Sequence, residues 1–576
     1  MSRDDDFRIR PGRIRSRGGQ RALPIIVQAL SAAQRAGGHV SRRGQVVAPG
    51  RSTFGRGRVA SVRATHRLGH RSRQVIVKAR VVRHGGRASL AAHLNYLQRD
   101  GVTRDGERGV LFGAEADGLD RNEFAARCED DRHHFRFIVS PEDAEQMRDL
   151  KGFPRELMTR MEKDLGTRLD WRAVEHWNTD NPHIHIIVRG VGEDGQNLVI
   201  SRDYIREGMR AQAREIVTQE LGPRTDLEIR QSLKRQVEAE RWTEIDRDLS
   251  RTMQRDGMID MAPEPGVRPD GDHVLRMGRL RKLERLGLAS EIAPGQWTLA
   301  DNAQAALREL GERDDIIKRM HKAMSDRGID RGTGSYVLDA DPTQPVVGRL
   351  VDRGLHDELT GKAYAIVDGI DGRTHHVQLP DIEATGDCRP SAIVELRRFE
   401  DRKGRQRVAL AVRSDMDLEA QVRAPGATWL DRRNLSGESH DLGGGFGTEV
   451  RAAMEARAEH LADEGFARRQ GQRIIFARNL LDTLRRRELD AAAKDLSAEI
   501  GLPHAPSRAG EYVAGTVRQR VTLASGRFAM IDNGLSFQLV PWSPSLDRQI
   551  GKHISGVMRA GGGVDWSFGR GRGLGL

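Results

Sequence analysis

Two short predicted strands bring three histidines of this chain to one face of a sheet. Residues 171–177 (WRAVEHW) and 183–188 (HIHIIV) are rich in β-branched and aromatic side chains, and the Thr-Asp-Asn-Pro segment between them can close a hairpin. Successive side chains of a strand point to opposite faces, so His183 and His185 share one face. His176 on the partner strand can join them, while the opposite face is apolar, with Ile184, Ile186 and Val188. The pattern predicts a hairpin with one face for a core and one face for chemistry.

Three imidazoles in this arrangement predict a metal site. Neutral imidazole binds Zn, Mn, Fe, Ni and Cu, and three protein ligands leave coordination positions open for a substrate, as a catalytic site requires. The alternative is a polar sheet face whose histidines are satisfied by neighbouring groups. The H-x-H pair also occurs on strands of cupin-like oxidases and zinc hydrolases, so the metal by itself does not define the reaction.

A tyrosine on a short predicted helix is the second feature. The chain has only five tyrosines, and Tyr96 lies in the segment 92–101 (AHLNYLQRDG). An apolar stripe with helical spacing runs beside it, formed by Leu90, Leu94 and Leu97. Tyr96 is then either a half-buried helix residue with a solvated hydroxyl or a nucleophile. A phenolate can attack phosphorus if a metal or base lowers its pKa from about 10.

The pattern H-x-N-x-D-N-P-H-x-H-x-x-V, preceded by a helix with N-Y-L-x-R-D-G, resembles the HUH relaxases of conjugative and mobilisable DNA, closest to the T-DNA border endonuclease type. The resemblance covers about residues 75–230 and includes the segments 197–205 (NLVISRDYI) and 218–224 (TQELGPR). In that family the first motif supplies a tyrosine and the third supplies three histidines. The resemblance therefore implies Tyr96 as the nucleophile, and as ligands of a divalent ion, Mg²⁺ or Mn²⁺, it implies His176, His183 and His185.

Two positions depart from the family pattern. Relaxases often have Asp where this chain has Asn178, so the carboxylate that orients the metal ligands has two nearby candidates, Glu175 and Asp180. The middle motif is usually a strand that ends in Ser-Phe-Pro, whereas residues 135–143 read FRFIVSPED.

The resemblance implies that the protein nicks single-stranded DNA at a transfer origin by tyrosine transesterification. The products are a 5′-phosphotyrosyl link and a free 3′-hydroxyl, and the step starts conjugative transfer or mobilisation. Implied partners are accessory relaxosome proteins and secretion-coupling proteins. Arg99, one turn from Tyr96, can stabilise the phenolate or pair with a flanking phosphate, or it is a solvated helix residue.

Other residues compete for roles in the site. Tyr204 is a second candidate nucleophile, but it begins a segment with helical periodicity, so packing against the sheet is its expected role. Four polar residues precede the next predicted strand and can add a carboxylate or imidazole, or simply face water: Asp130, Asp131, His133 and His134.

Composition favours a nucleic-acid partner and a reducing compartment, although the basic balance alone also fits a ribosomal or membrane-surface protein. The chain has 95 Lys plus Arg against 83 Asp plus Glu, a net charge of +12 and a pI near 10.0. Its two cysteines, Cys128 and Cys388, argue against a disulfide framework and a Cys-based zinc module and fit a reducing cytoplasm. No apolar run approaches 18 residues and no secretory signal is recognisable, so we expect no membrane insertion.

The second half of the chain contains an internal duplication. Residues 278–310 and 456–489 share a helix, a Gly turn, a Gly-Gln hairpin tip and a second helix, the outline of a winged helix. Each is followed by alternating strands typical of a small β-barrel, at 347–380 and 514–541. This arrangement is similar to the uncharacterised C-terminal region that accompanies some relaxases.

We therefore expect an α+β protein made of six segments. The predicted segments are a basic, disordered arm at 1–65, an HUH relaxase nuclease domain at 70–235, a winged-helix-like unit at 240–335, a small β-barrel-like unit at 340–435, a second winged-helix-like unit at 445–500, and a second small β-barrel with a Gly/Arg-rich tail at 505–576.

For the nuclease domain we predict an antiparallel sheet of residues 73–84, 133–139, 171–177 and 183–189. We predict that its helices, at 89–99, 142–165 and 203–221, cover one face and leave the metal and Tyr96 exposed on the other. Two other functions are compatible with the residues. One is a non-enzymatic DNA-binding or docking protein with a structural metal, and the other is a metal-dependent hydrolase that activates water.

Overall fold

The structure is a computed structural model, and the chain divides into two compact units, Met1–Ile229 and Arg230–Leu576. The residues that it describes are 39–40, 46–47, 56–57, 71–83, 87–179, 181–262, 270–338, 345–400, 404, 406–437, 441–471, 473–559 and 563–567. Most of the predicted arm, the end of the predicted tail, and Asp180 and Gln472 lie outside the described residues.

The first unit is built on a four-stranded sheet in which every neighbouring pair is antiparallel. A short pair, β1 (His39–Val40) and β2 (Val46–Val47), precedes it. The sheet comprises β3 (Val75–Arg83), β4 (His133–Pro141), β5 (Trp171–His176) and β6 (His183–Arg189), in the order β3-β4-β6-β5. These strands agree with the four predicted segments to within two residues. The predicted hairpin is present, with His176 directly opposite His183.

Helices of the first unit lie on both faces of this sheet. They are α1 (Arg87–Leu97), α2 (Arg121–Arg127), α3 (Gly152–Leu165) and α4 (Met209–Leu221), with a π-helical turn at Tyr204–Gly208 and a 3-10 turn at Ala144–Gln146. One face is the main core, because alternate residues of β4 and β6 pack there against α3 and α4: Phe135, Phe137, Val139, Ile184, Ile186 and Val188. Burial of each such side chain contributes about 1.5–3 kcal/mol.

The prediction that all helices cover one face is wrong for α1. Its apolar stripe (Leu90, Leu94 and Leu97) is buried together with residues of α2 against Val174 and Ile187, which share a face with the histidines. An apolar helix stripe and apolar strand residues between polar neighbours both gain by leaving water, so α1 packs on this face. Toward β3 the same face stays accessible, since Ile76, Lys78 and Arg80 are exposed.

The second unit begins with a helical region and a small sheet. Its elements are α5 (Asp226–Glu238), which spans the boundary between the units, α6 (Glu244–Asp256), β7 (Ile259–Asp260), α7 (Gly271–Arg285), β8 (Ala289–Ala293), β9 (Gln296–Leu299) and α8 (Ala303–Ser325). A mostly antiparallel six-stranded sheet follows in the order β10-β13-β12-β11-β14-β15, from β10 (Tyr336–Leu338), β11 (Val347–Asp357), β12 (Lys362–Gly369), β13 (Thr374–Leu379), β14 (Ile393–Glu400) and β15 (Gln406–Ser414).

A second helical part with a β-hairpin, again followed by a sheet, completes the second unit. The helical part comprises α9 (Leu418–Arg423), α10 (Trp429–Ser436), α11 (Phe446–Asp463), the hairpin β16 (Ala467–Gln470) and β17 (Arg473–Phe476), and α12 (Leu480–Ile500). Its sheet has the order β20-β19-β18-β21-β22, from β18 (Tyr512–Leu523), β19 (Gly526–Asp532), β20 (Phe537–Pro541), β21 (His553–Met558) and β22 (Val564–Ser567). The α+β class with antiparallel sheets is thus confirmed.

A buried arginine–aspartate pair is common to both helical parts. Arg279 donates to the two oxygens of Asp246 at 2.7 and 2.8 Å, and Arg457 donates to those of Asp431 at 2.8 and 3.0 Å. All four side chains have no exposed surface. Each aspartate also completes a capping box at the start of its helix, with Thr243 or Thr428. The duplicated unit is therefore longer than the sequence repeat at 278–310 and 456–489. It also includes the capped helix that precedes each repeat, α6 in the first copy and α10 in the second.

Two further features concern the helices and the cysteines. Among the described helices, none has the length and apolarity needed to cross a membrane. Cys128 and Cys388 are both free and buried.

Candidate metal and nucleophile site

The β5–β6 hairpin brings the three predicted histidines together. His176 lies opposite His183, and Val174 lies opposite His185, so all three imidazoles rise from one face. Their ring centroids are 4.4 to 5.4 Å apart, and one nitrogen of each lies within 4.8 Å of those of the others. The three side chains are 0, 8 and 3% exposed in chain order. The strand alternation that predicted a common face is the physical reason for this convergence.

Main-chain carbonyls determine which nitrogen of two rings carries the proton. His176 Nε2 donates to the carbonyl of Leu97 at 2.8 Å, and His183 Nδ1 donates to the carbonyl of Asn181 at 3.0 Å. A carbonyl oxygen only accepts, so the proton is on those nitrogens. In the neutral rings, the lone pair is then on Nδ1 of His176 and on Nε2 of His183.

These nitrogens fit a single divalent ion. His183 Nε2 and His185 Nε2 are 3.1 Å apart. Zinc–imidazole bonds, for example, are about 2.0–2.1 Å, so adjacent ligands of one such ion lie about 3.0–3.4 Å from each other. Ligand histidines in metal sites commonly donate their second N–H to a carbonyl or carboxylate, as His176 and His183 do here. The donor type and the spacing of His183 and His185 fit a site able to hold a metal ion.

The helix that carries Tyr96 is bonded directly to this cluster. Leu97, the acceptor for His176, is the residue after Tyr96 in α1. Tyr96 is half-buried against the apolar cluster beneath the helix. The guanidinium carbon of Arg99 lies 4.3 Å from the centre of the Tyr96 ring, and its Nη1 donates to the Tyr96 carbonyl at 3.4 Å. A cation over the ring face favours the electron-rich phenolate.

Tyr204 is placed differently from Tyr96. Its ring has no exposed surface and belongs to the main core, and its hydroxyl donates to Asp164 Oδ2 at 2.9 Å. Burial, together with the negative charge of Asp164, raises the pKa of this phenol above its ordinary value. Such a hydroxyl is shielded from substrate and is difficult to ionise.

Glu175 does not orient the histidines, so this alternative is wrong. It lies opposite Ile184 and therefore points to the other face of the sheet. There it accepts a hydrogen bond from Trp177 Nε1 at 3.0 Å, and Lys151 Nζ lies 3.9 Å away. Of the two predicted carboxylates, only Asp180 remains as a candidate.

The polar residues just before β4 and at its start do not join the cluster. Arg189 donates to both oxygens of the buried Asp131 at 2.8 and 3.0 Å, and His133 Nε2 bonds to the Leu198 carbonyl at 2.9 Å. Asp130 is exposed. His134 shares the histidine face, but it lies opposite Arg189, four residues along β4 from the position that faces His185. That separation is about 13 Å.

Sequence reasoning missed two positions around the site. The carbonyl of Leu97 could not be assigned as a partner because main-chain groups have no sequence signature. Ser140 Oγ donates to the carbonyl of Pro182 at 3.0 Å and so holds the turn that immediately precedes His183. The only signal for Ser140 was its place in the middle motif.

Two family models match the chain. The model described as the MobA/VirD2-like nuclease domain of relaxases matches residues 114–220, which include the three histidines but not Tyr96. The model described as a protein of unknown function, DUF3363, matches residues 276–406 and 396–575, together more than half of the chain. No curated protein and no solved structure matches significantly. The chain therefore belongs to the DUF3363 family, and its first unit carries a nuclease domain of the MobA/VirD2-like relaxase type.

Proposed function

We propose that this protein is a site- and strand-specific DNA relaxase, a metal-dependent DNA-nicking transesterase that acts at a transfer origin in conjugative transfer or mobilisation. The observation that carries the proposal is the bond from His176 to Leu97, which ties a three-histidine cluster to the helix bearing Tyr96. The relaxase-type nuclease domain at 114–220 supports it independently.

The reaction follows from the residues assigned to it. A divalent ion, Mg²⁺ or Mn²⁺, held by His176, His183 and His185 would withdraw charge from a phosphate oxygen as the phosphorane develops. Tyr96 loses its hydroxyl proton to water, and its oxygen forms a bond to phosphorus in line with the departing 3′-oxygen. The 3′-oxygen leaves with the electron pair of the broken bond and takes up a proton from water. The products are a 5′-phosphotyrosyl link and a 3′-hydroxyl.

Arg99 acts with Tyr96 in this proposal. Its guanidinium lies over the tyrosine ring and stabilises the phenolate that attacks. The phosphotyrosyl bond conserves the energy of the phosphodiester, so attack by a 3′-hydroxyl reverses the step and rejoins strands after transfer.

A covalent-adduct assay tests this function. Purified protein is incubated with oligonucleotides that tile the transfer origin of its own element, plus Mn²⁺ or Mg²⁺, and SDS-stable protein–DNA adducts are measured. We expect an adduct that is lost with Tyr96→Phe and with His185→Ala. Tyr512→Phe is the matched control, because Tyr512 is exposed in the second unit. Cleavage without an adduct would instead indicate a hydrolase that activates water.

The burial of the histidines favours one second candidate. His176 has no exposed surface and α1 covers this half of the sheet face, as in sites where a metal only supports the fold. The protein would then be a non-enzymatic DNA-binding or docking protein with a structural metal. In the same assay it binds the oligonucleotides but forms no adduct and cuts nothing.

For the second unit we propose two winged-helix-like units, at 240–335 and 445–500, and two small β-barrel-like units, at 340–435 and 505–576. The helix–hairpin–helix succession around β8–β9 and β16–β17 supports the first pair. We further propose that residues 1–65 form a basic arm and that residues 70–235 form the nuclease domain. The proposed partners are single-stranded DNA, accessory relaxosome proteins and secretion-coupling proteins, and the proposed compartment is the cytoplasm, where the DNA is processed.

A further inference from the structure

Three basic side chains lie beside the histidines on the accessible half of the same sheet face. Arg80 on β3 is directly opposite Arg136 on β4, and Lys78 is opposite Ile138, which is itself opposite His185. We call Lys78, Arg80 and Arg136 the basic row. Arg136 and His185 are diagonal neighbours on adjacent strands, about 7–8 Å apart. The row therefore begins next to the candidate metal ligands and leads away from them toward the edge strand β3.

The arginines of this face differ in their partners. Arg189 makes two hydrogen bonds to Asp131, and Arg172 donates to Asp170 at 3.1 Å. Within the described residues, no carboxylate lies within salt-bridge distance of the basic row. Arg136 instead donates from Nε to His134 Nε2, at 3.1 Å. Arg80 and Arg136 thus face each other on adjacent strands, and in the described part of the chain neither has a carboxylate partner of the kind that Arg189 and Arg172 have.

This arrangement is unfavourable in the protein alone. Arg136 is only 8% exposed, and its burial together with the charge of Arg80 lowers its pKa to about 10. Like charges directly opposite each other in a sheet are destabilising, and a buried charge requires a counter-charge. Strand propensity or core packing would be served better by an apolar residue at position 136. The feature is therefore better explained by an anion that the row receives from outside the protein.

The shape of the row favours a chain of anions over a single one. Lys78 and Arg80 are both exposed, and side chains at i and i+2 of a strand lie about 7 Å apart. Arg136 has five N–H donors in a planar fork, and its bond to His134 uses one and orients the rest. The backbone of a single DNA strand that enters the histidine cluster would place successive phosphates along the basic row.

We propose that the basic row is the backbone-binding subsite for single-stranded DNA, with phosphates that flank the cleaved one lying on Lys78, Arg80 and Arg136. Arg136 is the anchor, because it is the buried, oriented member nearest the histidines. The two exposed members extend the contact to the sheet edge. This inference rests on the proposed function, since it assigns a binding path to the substrate of that reaction.

Equilibrium binding without metal tests the subsite apart from chemistry. Fluorescence anisotropy of a labelled oligo-thymidylate is measured in EDTA over a salt series, for full-length wild type, Arg80→Gln, Arg136→Gln and Arg136→Lys. Removal of one cation that pairs with a phosphate is expected to reduce the slope of log K against log salt by about 0.7. We expect roughly 10-fold weaker binding for Arg136→Gln and a smaller effect for Arg80→Gln. Arg136→Lys, which retains charge but not the fork, is expected to fall between wild type and Arg136→Gln.

Arg83→Gln is the matched control. Arg83 is on the same strand, is exposed, and carries the same charge, but it points to the opposite face of the sheet. Its replacement is expected to leave affinity within about 2-fold of wild type. Equal weakening by Arg83→Gln and Arg80→Gln, or wild-type binding by both Arg80→Gln and Arg136→Gln, overturns the inference. Arg80 is exposed, so its variant remains informative if Arg136→Gln fails to fold.

The two proposals fail in different ways. If the wild type forms the covalent adduct but the basic-row variants bind normally, the subsite is wrong and the relaxase function stands. If the row variants lose affinity but the wild type forms no adduct, the subsite stands and the transesterase is wrong.

Discussion

His176 donates from Nε2 to the carbonyl of Leu97 at 2.8 Å, and this bond joins the histidine cluster to the helix of Tyr96. A main-chain acceptor holds the imidazole in one tautomer whatever side chain occupies position 97. The orientation of a predicted metal ligand and the position of the predicted nucleophile thus depend on one another. Displacement of α1 would change both at once.

Removal of any one histidine of the cluster should weaken metal binding. We expect His176→Ala, His183→Ala and His185→Ala each to lower Mn²⁺ affinity by at least about 10-fold, because each removes one of three nitrogen donors. Isothermal titration calorimetry measures this. His133→Ala is the control, since that ring lies on the opposite face and bonds to Leu198. Wild-type affinity in all three variants would falsify the metal site.

Replacement of Tyr204 should affect stability and leave DNA nicking unchanged. Tyr204→Phe removes a buried hydroxyl that donates to a carboxylate, which costs about 1.5–3 kcal/mol of unfolding free energy. Because Tyr204 lies in the core, adduct formation per folded molecule should be unchanged. Tyr96→Phe should do the reverse, with abolished adduct and a small change in stability. Urea denaturation and the adduct assay together distinguish the two tyrosines, and loss of the adduct with Tyr204→Phe would reverse the assignment.

Breaking a buried arginine–aspartate pair should strongly destabilise its part of the second unit. Asp246→Ala leaves the fully buried Arg279 without a counter-charge, so we expect a loss of about 3–5 kcal/mol. Asp431→Ala should have a similar effect through Arg457. Chemical denaturation monitored by tryptophan fluorescence measures both effects.

An exposed pair in the same helix provides the control for that experiment. Asp248 pairs with Arg251, and both side chains are more than half exposed. Asp248→Ala should therefore change stability by less than about 1 kcal/mol. Equal effects at positions 246 and 248 would show that burial of the pair is not what matters.

The thiol of Cys128 should be unreactive in the folded protein. Burial, with a smaller contribution from the charge of Asp131, raises its pKa to about 12 from an ordinary 9.0. Between these two pH values the folded state retains a proton that the unfolded chain loses. The contribution of the Cys128 thiol to the free energy of unfolding is therefore fully present below pH 9 and is lost as the pH rises toward 12. At pH 9 we expect slow labelling of the native protein by a disulfide reagent and fast labelling in denaturant. Fast labelling of Cys128 in the native protein would contradict this.

Local residue patterns were sufficient to predict many of the strands and helices of the first unit. The alternation in residues 183–188 predicts the strand, its apolar face and the shared direction of His183 and His185, since side-chain direction in a strand depends only on position. The stripe of Leu90, Leu94 and Leu97 likewise predicts an amphipathic helix, and all three side chains are buried. The face on which that helix packs was predicted wrongly, because the partner of an apolar stripe lies elsewhere in the chain.

In the duplicated second unit, too, local features could be predicted from the sequence and contacts between distant residues could not. Gly turns and hairpin tips are local and therefore visible in the sequence. The pair of Arg279 and Asp246 spans 33 positions and the pair of Arg457 and Asp431 spans 26, so the spacing differs although the geometry is the same. A contact that tolerates loops of different length cannot be recognised from spacing.

By itself the sequence determined the hairpin, the common face of the histidines, the helix of Tyr96 and the basic character of the chain, because each depends on neighbouring residues or on composition. Tertiary structure decided the rest. It joined His176 to Leu97, buried Tyr204 beside Asp164, turned Glu175 away from the histidines and set Arg80 opposite Arg136. These relationships arise from strand register and helix packing between distant segments, which only the folded chain brings together.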